Sequence, residues 1–81
     1  MEKPAEILKL EEFYNRTILE IDYTIDSDNQ VVLLNLSSSS NIEDIEPLKE
    51  LKFLKILFLS GNQISNIEPL KELKLLTTLS L

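Results

Sequence analysis

Cysteine, histidine and tryptophan are all missing from this 81-residue chain, and it holds one glycine, Gly61, and one arginine, Arg16. Without cysteine there is no disulfide framework and no thiolate metal site, a composition that suits a reducing compartment. Without histidine the commonest acid–base group and metal ligand is gone as well. A single glycine leaves no phosphate-cradling loop, so nucleotide chemistry has no foothold. One arginine, no basic cluster and a net charge of −6 make phosphate backbones and anionic lipid poor partners, so neither nucleic acid nor membrane is expected. No apolar run approaches the eighteen or so residues of a membrane span. Met1 to Glu6 leads into no apolar signal core, so a cytoplasmic protein is expected.

The length allows one domain with a thin core, since a chain of this size buries only about 60 to 65% of the surface its unfolded form exposes. Charge is uneven along it. Residues 1–30 carry eight acids against three bases, and the rest holds six acids against five lysines.

What is present is a sentence said twice. Ile42 recurs as Ile64 and Ile45 as Ile67, and Glu46-Pro47-Leu48-Lys49-Glu50-Leu51-Lys52 returns unchanged as Glu68-Pro69-Leu70-Lys71-Glu72-Leu73-Lys74, twenty-two residues on. Phe53/Leu75, Leu54/Leu76, Leu57/Leu79 and Leu59/Leu81 continue the match. One such unit cannot bury its own leucines. Stacked units can, if each is a short strand followed by a return segment that Pro47 or Pro69 starts, where no amide donor is needed. Asn62 has a place in that coil: its amide can satisfy backbone groups where the strand bends and form a structural ladder with stacked copies. The preceding unit lacks it. Five residues, Ser37 to Asn41, separate Leu36 from Ile42, whereas four separate Leu59 from Ile64, so Ser39 or Ser40 stands where asparagine belongs.

Ahead of the repeat, Pro4 to about Asn15 reads as a helix with Ile7, Leu10 and Tyr14 on one face, widened by Leu8 and Phe13, and Glu6, Lys9 and Glu12 opposite. From Ile18 the period becomes two, with Ile21, Tyr23 and Ile25 alternating with acids and Thr24, which is a half-buried strand. Asp26 to Gln30 forms a turn, with Asn29 the residue suited to a left-handed conformation, and Val31 to Ser37 resumes as a strand. Asp26, Asp28 and Gln30 alternate like the first ligands of a calcium loop. Val31 stands where that loop needs glycine and Ser37 where it needs glutamate, so no metal is expected.

The text Leu51-x-x-Leu54-x-x-Leu57-x-Leu59-x-x-Asn62-x-Ile64-x-x-Ile67-x-Pro69-Leu70 resembles a leucine-rich repeat protein of the bacterial twenty-two-residue, internalin-like type. Residues 1–36 are similar to the N-terminal caps of such domains, including those of Roco-type proteins, without the usual turn glycine. The resemblance implies an α/β fold: a right-handed leucine-rich-repeat solenoid with a parallel β-sheet on the concave face and an N-terminal helix plus β-hairpin cap. Residues 1–30 would be the cap. Residues 31–81 would be about two full repeats plus a third strand, with no C-terminal cap.

Parallel strands are expected near Val31 to Ser37, Ile56 to Ser60 and Thr78 to Leu81. Alternation sends Leu34, Leu36, Leu57, Leu59, Leu79 and Leu81 inward. Their neighbours then form two rows on the concave face, Leu33, Ile56, Thr78 and Asn35, Phe58, Ser80, with Ser37 and Ser60 at the margin and Lys55 at the edge. Leu33, Ile56 and Phe58 are more apolar than a solvated face needs, which marks a surface for binding another protein with Phe58 as anchor. An alternative is a solenoid end or truncated N-terminal fragment of a larger signalling protein. Its uncapped C-terminal edge would self-associate into a homo-oligomer or take further repeats. An enzyme is not expected: no residue set supplies a nucleophile with its base, no cofactor is implied, and Glu43 with Asp44 lies on a polar exterior with no cleft.

Overall fold

The computed structural model describes residues 3–37 and 42–81. Ser39 and Ser40, expected to stand in for an asparagine, lie outside the described residues.

Helix α1 spans Ala5–Tyr14. Pro4 precedes it and its carbonyl accepts from the amides of Ile7 and Leu8 at 3.0 and 3.1 Å, starting the first turn. Asn15 ends it in the left-handed region, at φ 53°. Ile7 and Leu10 are buried and Tyr14 packs partly against them. Leu8 and Phe13, expected to widen that stripe, are about half exposed instead. At 3.6 residues per turn both sit roughly a quarter-turn or more from the centre of the Ile7, Leu10, Tyr14 line.

After α1 the carboxylate of Glu11 accepts from the Ile18 amide at 2.7 Å and from the Lys3 ammonium. That clamp delivers Ile18 into the core. The strand expected from Ile18 begins later. Asp22 N–H donates to Leu19 O at 2.9 Å, making a 3₁₀ turn, η1, over Glu20–Asp22. Strand β1 covers only Tyr23–Ile25. The turn breaks the period of two, and Ile21 is 85% exposed rather than inward.

Strand β2, Val31–Asn35, pairs antiparallel with β1, Tyr23 facing Leu34, with a bulge between Thr24 and Ile25. Between them Asn29 takes φ 62°, and the Asp26 carboxylate accepts from the amides of Asp28 and Gln30 at 2.9 and 3.0 Å. The acid in the calcium-like spacing is thus occupied by its own turn. β2 stops short of Ser37 because the Asn35 side chain accepts the Ser37 amide at 3.0 Å.

Two short strands follow, β3 (Ile56–Phe58) and β4 (Thr78–Ser80), each preceded by a 3₁₀ segment, η2 (Glu46–Glu50) and η3 (Glu68–Glu72). Pro47 and Pro69 lie in the first turns of these segments, as the repeat predicts. The sheet order is β1-β2-β3-β4, with β2, β3 and β4 parallel. η2 packs on η3 and α1 on η2, so the return segments form a second layer, and one cluster of buried leucines and isoleucines joins the layers. The fold is therefore a small α/β unit with a mostly parallel sheet. The two units repeat in backbone as well as in text. Ile45 and Ile67 flank the segments at φ/ψ of −110°/17° and −101°/10°, and Leu51 and Leu73 close them at −86°/69° and −90°/80°.

The inward expectation holds for Leu34, Leu36, Leu57 and Leu59, all buried, and fails for Leu79 and Leu81, which are exposed. Ile45 is 1% exposed whereas its copy Ile67 is 49% exposed. The cause is the stacking itself: each coil is covered by the next one, and among the described residues none lies over β4 and η3.

Candidate functional site

The parallel register sets the site. Leu33 faces Ile56, which faces Thr78; Asn35 faces Phe58, which faces Ser80. Both expected rows therefore exist as lines running straight across three strands. Alternation puts them on the sheet face opposite Leu34 and Leu57. Leu33, Ile56 and Phe58 are each partly buried, so part of every side chain remains available at the surface.

The polar members are arranged for different work. Ser60 and Ser80 share a hydroxyl–hydroxyl hydrogen bond of 2.6 Å, which ties the margin of the face between β3 and β4. Asn35 spends its side-chain oxygen on Ser37 N–H. Thr78 is exposed in its row. Lys55 belongs with these residues through its backbone: its carbonyl accepts from the Thr77 amide at 2.8 Å, the Thr78 amide at 3.1 Å and the Thr77 hydroxyl at 3.2 Å. Its side chain is exposed beside β3, and by alternation is off the Ile56 and Phe58 face.

Asn62 sits behind the strands. Its amide nitrogen donates to Leu36 O at 2.8 Å and to Leu59 O at 2.9 Å, and its oxygen accepts from Ile42 N at 3.4 Å. One side chain thus binds the strand exits of two successive coils and holds β2 and β3 in register.

Away from the sheet face, a concavity lies where α1 meets the chain ahead of η2. It measures about 250 Å³ and is lined by Phe13, Tyr14, Ile42, Glu43 and Asp44. Tyr14 donates its hydroxyl to Asp44 O at 2.7 Å, bridging α1 to the chain ahead of η2. Phe13 meets Tyr14 edge to face at 5.0 Å. Burial first, and the Asp44 carboxylate second, push the Tyr14 phenol well above its ordinary range. The sequence reading missed this place because it assigned Phe13 to the buried stripe and saw no cleft beside Glu43 and Asp44. The one signal for it was the aromatic pair at the end of α1. No helix among the described residues is long and apolar enough to cross a membrane.

A family model described as leucine-rich repeats, in two copies, matches residues 29–72, just over half of the chain. Comparison with curated proteins and with solved structures gave no match. The matched span takes in β2, η2, β3 and η3, of which η2 and η3 repeat in text and in flanking backbone angle, and the chain belongs to the leucine-rich repeat family.

Proposed function

We propose that the chain is a non-catalytic protein-binding module that engages another protein through the open face of its sheet. Leucine-rich repeats generally mediate protein–protein interaction. The fold is read as a right-handed solenoid whose concave side is this face, with residues 1–30 as an N-terminal cap and residues 31–81 as the repeats. The bacterial twenty-two-residue pattern, a cytoplasmic setting and the absence of nucleic-acid and membrane partners complete the reading; the net charge of −6 supports the exclusion of polyanions.

The observation that carries it is the alignment of Leu33, Ile56 and Phe58, partly exposed, on neighbouring strands. The large side chain at the middle, Phe58, is the anchor, and Asn35, Ser60, Thr78 and Ser80 provide a polar surround. A photo-cross-linking residue at position 58 is expected to trap the same cellular protein as one at position 56, and one at Lys71, on the return layer, is expected to trap none of it. Phe58→Glu should abolish capture with an unchanged circular dichroism spectrum. Capture undiminished by Phe58→Glu rules the site out.

A second reading is favoured by the exposure of Ile67, Leu79 and Leu81, whose copies one coil earlier are buried. The unit then serves as the end of a stack, and its β4 side is a surface that takes more leucine-rich structure.

A further inference from the structure

The cavity between α1 and the chain ahead of η2 is used by neither reading above, and none of its walls belongs to β4 or η3. We infer that it takes an arginine side chain of a partner protein, with the guanidinium held between the Phe13 ring and the carboxylates of Glu43 and Asp44.

The floor is apolar and the rim is charged. Phe13, Tyr14 and Ile42 supply the apolar walls; Ile42 is 2% exposed, whereas Phe13 keeps 52% of its surface open. The two rings meet at 84° with centroids 5.0 Å apart. An edge-to-face pair uses one face of one ring, so further ring faces remain for a cation. Glu43 and Asp44 are exposed beside those rings, and none of the five lining residues is basic.

The two carboxylates differ in what they still have to offer. One oxygen of the Asp44 carboxylate accepts from the Glu46 amide at 2.9 Å, and the other remains. Glu43 has no hydrogen bond or ion pair among the described residues, so both of its oxygens are open. A planar guanidinium matches this set: it stacks on a ring, forks onto one carboxylate and keeps a donor for a second. An ammonium is a compact point charge with a tighter hydration shell and gains less from the same walls. The Asp44 charge already reaches the aromatic wall, since after burial it is what raises the Tyr14 phenol.

Size and rigidity select the source. A volume of about 250 Å³ lies below the range of roughly 300 to 1,000 Å³ typical of small-molecule sites and suits a single side chain. The walls are fixed in advance. Tyr14 O–H donates to Asp44 O at 2.7 Å, while Ile42 O accepts from Gln63 N–H at 3.0 Å and Ile42 N–H donates to Asn62 at 3.4 Å. A site prepared in this way spends little on ordering when its guest arrives. The net charge of −6 draws basic segments toward it.

The test is a titration of capped tripeptides with a central arginine, lysine or citrulline into the full chain, followed by nuclear magnetic resonance of the ring protons. The arginine peptide is expected to move the Phe13 and Tyr14 signals and to bind about tenfold tighter than the citrulline peptide, which has the same shape without the charge. The lysine peptide should bind more weakly than the arginine one. Phe13→Ala and Glu43→Gln should each weaken arginine binding by about threefold or more. Both positions are exposed, so neither change opens the core. Glu20→Gln removes the same charge elsewhere on the exposed surface and should leave binding unchanged. Free arginine, whose α-carboxylate would meet Glu43 and Asp44, should bind more weakly than the capped peptide. Unmoved ring signals, citrulline equal to arginine, or equal losses in Glu20→Gln and Glu43→Gln overturn the site. Lysine equal to arginine overturns the guanidinium, and free arginine equal to the peptide overturns the protein source.

Discussion

Leu57 and Leu79 are register partners on adjacent parallel strands, twenty-two residues apart, yet the first is 0% and the second 40% exposed. The same residue at the same place in the repeat therefore carries different energy. Leu57→Ala removes a fully packed side chain and is expected to cost about 2 to 5 kcal/mol. Leu79→Ala truncates a side chain that is already 40% exposed and is expected to cost less, about 1 kcal/mol or below. Urea denaturation of the two variants checks the difference, and equal losses would mean that β4 is covered.

Asn62 binds Leu36 O, Leu59 O and Ile42 N, so its loss leaves groups from two coils unsatisfied. Asn62→Ala is expected to destabilise by about 2 kcal/mol, the scale of leaving part-buried polar groups unpaired. Asn62→Asp keeps the acceptor and loses both donors, so it should rescue little of that. A denaturation midpoint unmoved by either change would show that water replaces the side chain.

Tyr14 gives an alkaline signature. Its phenol is raised in the folded chain, so the unfolded chain releases that proton first and stability falls as pH climbs past the ordinary value of 10.0. Tyr14→Phe should flatten that fall. Absorbance titration should show Tyr14 ionising only as the fold is lost in the parent, a step that is gone in the variant.

Glu11 gives the acid counterpart. The Lys3 ammonium, then the Ile18 amide, hold its carboxyl below the ordinary 4.5. A depressed carboxyl contributes stability above its unfolded value that is lost as pH falls through the folded one. Thermal midpoints should therefore drop more steeply below about pH 4.5 in the parent than in Glu11→Gln, and identical slopes would show that the clamp is not formed in solution.

The repeat was legible because it is written in spacing. Identical leucines at a twenty-two-residue period dictate identical coils, and the rows through Ile56 and Phe58 followed from counting alone. Two things were not legible. Ile21 looked like one more alternating strand residue, and only the 3₁₀ bond from Asp22 to Leu19, a contact three residues long, turns it outward. Leu79 and Leu81 looked like core because their letters match Leu57 and Leu59; burial depends on what lies beyond a residue, which a repeat pattern does not encode. The cavity at Tyr14 was hidden for a related reason, since it forms between residues thirty positions apart with no shared motif.

Ile45 and Ile67 adopt nearly the same backbone angles although one is buried and the other half exposed. The bend is therefore compatible with the seven-residue block that follows each isoleucine, with its proline in the first helical turn, and does not need a coil on its outer side. Such a unit is portable. An in-frame duplication of one twenty-two-residue stretch would insert a coil that already knows its own curvature and presents the next edge ready for another. Copying the unit is therefore expected to lengthen the array without a change to the block itself.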